Sequence, residues 1–145
     1  MTQGSISTRG APSRWLVLEP GGSLGQAREW VRKAVGDLGA DHCLAVQLVV
    51  TELLTNAHDH AGGAGTLRLR VEADPCSVYV ELDDRSADAP ILRQAKPEAL
   101  RGRGLMMVDQ LSAAWGSRPR AGMGKTVWAQ ISCETYEWEP CAEAA

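Results

Sequence analysis

Glu52, Asn56 and His60 fall at successive steps of four in the segment Glu52-Leu-Leu-Thr-Asn56-Ala-His-Asp-His60. On a helix, four residues turn only about 40° past a full circle, so a carboxylate, a carboxamide and an imidazole form one polar stripe. Leu48, Val49, Val50, Leu53, Leu54 and Ala57 surround that stripe. A helix apolar nearly all round is normally buried, and a buried charge is costly unless something pairs with it. The stripe needs a partner, and a metal–phosphate group has the right chemistry. An amide oxygen is a hard ligand suited to Mg2+, which keeps most of its waters and takes few protein groups. A carboxylate one turn away can orient or deprotonate a nucleophile near metal-bound phosphates.

Two further patches follow in chain order. Asp84 closes an alternating apolar run and, when ionised, offers only acceptors, which suits an exocyclic amine such as adenine N6. Gly102-Arg103-Gly104 stands at a helix start, where backbone N–H groups approach anions and Arg103 adds a charge-assisted contact. Taken singly, each has a bland reading: exposed helix residues, an ordinary turn aspartate, a chance glycine pair. His58-x-His60 puts its rings on different helix faces and is a poor metal pair. Gly124-Lys125-Thr126 ends like a phosphate-binding P-loop, but Pro119 stands where that motif needs glycine, and a strand follows it rather than a helix.

The elements that must position these groups can be read from periodicity. Trp15–Glu19 is a short strand ended by Pro20-Gly21-Gly22, and Ser23 caps a helix over 24–38 that closes at Gly39. Asp41 caps a second helix that runs to about His60 and stops at Gly62-Gly63. Residues 66–72 alternate as a strand, Asp74-Pro75 turns the chain, and a second strand runs up to Asp84, which makes an antiparallel hairpin. Residues 85–101 lack periodicity and form a long loop. A third helix runs from Gly102 to Leu111, and strands follow at 115–118 and 126–131. Residues 1–13 read as a disordered lead, 14–133 as one domain, and 134–145 as a frayed acidic tail. Hairpins with segregated helices imply an α/β two-layer sandwich, its mixed, mostly antiparallel sheet covered on one face by three helices.

Composition narrows the function. In 145 residues, Lys and Arg number 15 against 18 Asp and Glu, a net charge of −3. The cationic residues are scattered, which argues against nucleic acid as a direct partner. No apolar stretch reaches the length of a membrane span, and the N-terminal residues lack a signal-type apolar core. Cys43, Cys76, Cys133 and Cys141 contain no CxxC pair and no metal-like spacing, so reduced thiols in a cytoplasmic protein are expected.

In combination these patches resemble the ATPase fold shared by DNA gyrase, histidine kinases and mismatch-repair ATPases, the GHKL superfamily with its Bergerat-type ATP-binding fold. The nearest likeness is to the small anti-sigma regulatory factors, stand-alone serine-protein kinases of the partner-switching type. It spans roughly residues 15–132. Glu52 to Ala61 resembles the family's N-box, which implies Asn56 as the Mg2+ ligand and Glu52 as the base. Val80 to Asp84 resembles the box whose aspartate binds the adenine amine, Gly102-Arg103-Gly104-Leu105 the glycine box under the phosphates, and Gly124 to Val127 the closing strand, with Thr126 near the adenine. Residues 88–101 would be the ATP lid. After the adenine aspartate the family commonly has Gly or Asn; here it is Arg85, whose large charged side chain would either crowd the base pocket or point to solvent.

The resemblance implies an ATP- and Mg2+-dependent serine/threonine protein kinase. Its substrate would be a serine on a small anti-sigma antagonist of the STAS type, it would also sequester a sigma factor, and a homodimer is plausible. Arg85 motivates an alternative, a non-catalytic nucleotide-binding module that acts only by holding a partner. A histidine-kinase ATPase half is a weaker reading, because residues 1–14 are short and polar and no acceptor histidine precedes the domain.

Overall fold

The computed structural model describes residues 2–8, 11–19, 24–59, 64–73, 76–84, 100–121, 124–133 and 141. Among them the chain runs β1 (Thr2–Thr8), β2 (Ala11–Val17), α1 (Leu24–Ala34), α2 (Ala40–Asp59), β3 (Ala64–Ala73), β4 (Cys76–Asp84), α3 (Leu100–Leu111), β5 (Ala114–Pro119) and β6 (Lys125–Ser132). The strands form one sheet in the order β1-β2-β3-β4-β6-β5. Every pairing in it is antiparallel, so the expected mixed sheet is corrected to a wholly antiparallel one. The two-layer sandwich itself is as expected.

Alternation builds the sheet's inner face. Leu67 and Leu69 on β3, Val78, Val80 and Leu82 on β4, and Val127, Ala129 and Ile131 on β6 are all buried. They share one core with Ala27 and Val31 of α1, Val46, Val49, Val50, Leu53, Leu54 and Ala57 of α2, and Val108 of α3. Burying each such aliphatic side chain is worth about 1.5–3 kcal/mol. α2 is the central helix, packed against α1, α3 and strands β3, β4 and β6.

The opposite face is polar and aromatic. Tyr79 stacks on Trp128 with ring centroids 5.9 Å apart, and the Arg70 guanidinium lies 5.1 Å over Tyr79. Its glycines are close approaches: a Cβ on Gly116 would sit 3.2 Å from the Trp128 ring, its cross-strand neighbour. Gly124, ahead of β6, takes a positive φ of 81°, a left-handed conformation that glycine adopts without a Cβ penalty.

Residues 2–8 and 11–13, expected in a disordered lead, lie in strands: β1 pairs with β2 from Thr2↔Val17 to Thr8↔Ala11, and the expected boundary at residue 14 falls inside β2. β2 in turn pairs with β3, and Leu16 enters the core. Polar Thr and Ser on an edge strand have one side to solvent and need no apolar alternation. α1 ends at Ala34, short of the expected Leu38. α2 begins at Ala40, where the Gly39 carbonyl accepts the Cys43 N–H at 2.9 Å, so Asp41 lies in the first turn rather than at the cap. Of the tail, Cys141 is described; it is half-buried, with its sulfur 3.3 Å from His42 Nδ1.

Candidate functional site

α2 carries the polar stripe. Glu52 and Asn56 are half-buried while Leu53, Leu54 and Ala57 beside them are buried, so the stripe emerges at the border of the core, between solvent and the packed interior. His60 lies outside the described residues. The N-terminal half of α2 is fixed at one end of the sheet, where the buried His42 Nε2 meets the Ile131 carbonyl at 2.7 Å. From there the 20-residue helix spans about 30 Å, a length comparable to β4. Both run from the Cys76 end toward the Asp84 end, so the helix carries Glu52 and Asn56 toward Asp84.

At that end two consecutive aspartates divide between the faces. Asp84 shares its parity with Val80 and Leu82, and is 1% exposed on the helix-covered face. Its cross-strand partner is Lys125, whose Nζ lies 3.5 Å from Asp84 Oδ2, with both side chains buried. Asp83 faces the other way. Arg68 grips it through Nη1 at 2.9 Å and Nη2 at 2.6 Å, and the Thr126 hydroxyl donates to Asp83 Oδ1 at 2.8 Å. Burial opposes the charge on Asp83, but Arg68 and Thr126, with Arg120 farther off, hold its carboxyl below the usual range. Arg68 also reaches Glu81, which pairs with Arg118, so this end of the open face is a charged network.

Thr126, expected near an adenine bound at Asp84, has its side chain on the face opposite Asp84, where its hydroxyl donates to Asp83. Lys125 occupies the place facing Asp84. The sequence held the signal: Val127, Ala129 and Ile131 alternate inward, and the same parity carries Lys125 inward.

The glycine box lies on α3, whose helical backbone begins at Leu100, two residues before the expected start at Gly102. Gly102 thus belongs to the first turn, among the N–H groups that lack an intrahelical acceptor, and Arg103 follows at the first position that donates into the helix. Gly104 follows one position later, and Leu105 is buried at 5% exposure, a wall residue of the core. Arg85 and most of the expected lid, up to residue 99, lie outside the described residues.

These residues fit a nucleotide and its metal. A buried carboxylate at a strand end offers an acceptor for an amine, Asn56 and Glu52 offer hard oxygens, and the start of α3 offers N–H groups to anionic oxygens. No helix among the described residues is long and apolar enough to cross a membrane. No curated protein matches the chain. A family model described as the histidine kinase-like ATPase domain matches residues 18–131.

Proposed function

Because the chain belongs to the histidine kinase-like ATPase domain family, we propose that it is an ATP- and Mg2+-dependent serine/threonine protein kinase of the anti-sigma regulatory type. Its substrate is a serine on a small STAS-type antagonist domain, and its second role is to hold a sigma factor. The observation that carries the nucleotide reading is Asp84: a carboxylate buried at the end of β4, on the face covered by the helix that bears Glu52 and Asn56.

The roles follow from the donor set. Asp84 accepts the adenine amine, and so favours adenine over guanine, which presents an acceptor at the equivalent position. Asn56 holds the metal through its side-chain oxygen. Bound Mg2+ supplies charge neutralisation on the phosphates. The first-turn N–H groups of α3 meet the phosphate oxygens, and Glu52 takes the proton of the attacking serine hydroxyl. Phosphoryl transfer needs mostly positioning and charge stabilisation, so this small set suffices. Incubation with radiolabelled ATP and a cognate antagonist tests the proposal. Label should reach the antagonist's serine and fall by about 100-fold or more in Glu52→Ala, in line with loss of a general base. Undiminished transfer by that variant would remove Glu52 from its role.

One observation favours a second reading. Lys125 already lies beside Asp84, and a buried ammonium there competes with an adenine amine for the same carboxylate. In that reading the domain is a non-catalytic module that binds a partner protein. Absence of ATP binding at millimolar ATP with Mg2+ selects it.

A further inference from the structure

At the end of the sheet remote from Asp84, four side chains from four separate segments converge. They are His42 from the first turn of α2, Cys76 opening β4, Cys133 just after β6, and Cys141 from the tail. Their ligand atoms all lie within 4.8 Å of one another. His42 Nδ1 is 3.3 Å from the Cys141 sulfur and 3.6 Å from that of Cys76, and the Cys133 and Cys141 sulfurs are 3.6 Å apart. We propose that His42, Cys76, Cys133 and Cys141 form a structural Cys3His site for a thiophilic divalent metal, zinc in the first place.

Geometry supports this on three counts. A tetrahedral zinc with bonds of about 2.3 Å to sulfur and 2.0–2.1 Å to nitrogen separates its ligand atoms by roughly 3.6–3.8 Å, close to the spacings found here. The imidazole is also oriented for ligation. A carbonyl can only accept, so the 2.7 Å contact between His42 Nε2 and the Ile131 oxygen places the ring proton on Nε2 and leaves the Nδ1 lone pair facing the sulfurs. Metal-ligating histidines are fixed by such outer hydrogen bonds. Third, the Gly39 N–H donates to the Cys141 sulfur at 3.3 Å, and the start of the 20-residue α2 favours negative charge there.

Chemistry narrows the metal. Three thiolates and an imidazole suit zinc rather than the hard cations that take oxygen ligands. A divalent cation supplies the positive charge that three clustered thiolates need beside them. Four protein ligands leave no open position, as in structural sites. The place is structural too. Eight strand steps of about 3.3 Å separate Cys76 from Asp84 by roughly 26 Å. The Cys133 N–H bonds the Cys76 carbonyl at 3.1 Å, so two ligands sit on joined strands. The metal would fasten Cys141 to the start of α2 and to the sheet. This inference stands apart from the nucleotide reading. Sequence spacing hid it, because the ligands are brought together by topology and not by a short motif.

The test uses the full-length protein purified without chelator. Elemental analysis should find close to one zinc per chain. Cobalt substitution should give the visible bands of a tetrahedral site and thiolate-to-metal charge transfer scaled to three sulfurs. Cys141→Ser, a change in the tail, should weaken metal binding by roughly 100-fold or more, at least the loss known for outer-shell partners. Cys43→Ser should leave it unchanged, since that thiol accepts from Gln47 elsewhere on α2. Reduced wild-type protein that takes up neither zinc nor cobalt overturns the proposal. So does cobalt spectroscopy without thiolate charge transfer, or metal binding indifferent to Cys141.

Discussion

At the scale of single residues, the molecule separates two neighbouring carboxylates by strand parity alone. Asp84 faces the helices and Lys125, while Asp83 faces the open side and Arg68. Asp84→Asn turns half of the acceptor into a donor. It should weaken ATP by about 10- to 100-fold, the usual worth of a hydrogen bond to a charged group, when measured by competition with a fluorescent nucleotide. Asp83 instead sets acid stability. Its folded carboxyl is held below the unfolded value of about 3.9, so its contribution is present above that pH and is lost as pH falls through the folded value. Urea unfolding should show Asp83→Asn clearly less stable than wild type at neutral pH, with the gap closing below about pH 4. Asp84 was legible in the sequence because it ends an alternating run. Lys125 was passed over because Thr126 filled the family's pattern, although Val127, Ala129 and Ile131 already fixed which residues point inward.

At the scale of elements, α2 was the most legible part. Its apolar positions extend nearly all round, and Val49, Val50, Leu53, Leu54 and Ala57 are indeed buried. Leu54 is 1% exposed, and Leu54→Ala should cost about 2–5 kcal/mol in chemical denaturation, the range for deleting buried methyl groups from a core. The β1–β2 hairpin was illegible for a physical reason. Ser, Thr, Gly and Pro dominate residues 1–13, and an edge strand is held by backbone ladder hydrogen bonds that need no apolar pattern of side chains. Its one specific mark is Gly4, opposite Trp15: a Cβ there would fall 2.1 Å from the Trp15 ring. Gly4→Val should displace that ring. A shift in Trp fluorescence together with about 1–3 kcal/mol lost on unfolding, the usual cost of overpacking, would register it.

At the scale of the whole molecule, the sheet carries two centres at opposite ends. One end gathers Asp84, Lys125 and the approach of Glu52 and Asn56. The other gathers the His42 and cysteine cluster. The residues proposed for the first stand out in the sequence because Glu52 with Asn56, Asp84, and Gly102 with Gly104 each follow a local spacing. Those of the second do not, because residues 42, 76, 133 and 141 meet only once β4, β6 and α2 are in register. A strong chelator acting on the metal-loaded chain should lower its thermal midpoint while leaving ATP affinity within about twofold, the expectation for sites too distant to couple directly. Calorimetric titration of the full-length protein with ATP and Mg2+ tests the central claim most directly. Saturable one-to-one binding that weakens at least tenfold in Asp84→Asn and persists in Cys141→Ser is the predicted result. An absence of binding at millimolar ATP, or wild-type affinity in Asp84→Asn, would contradict it.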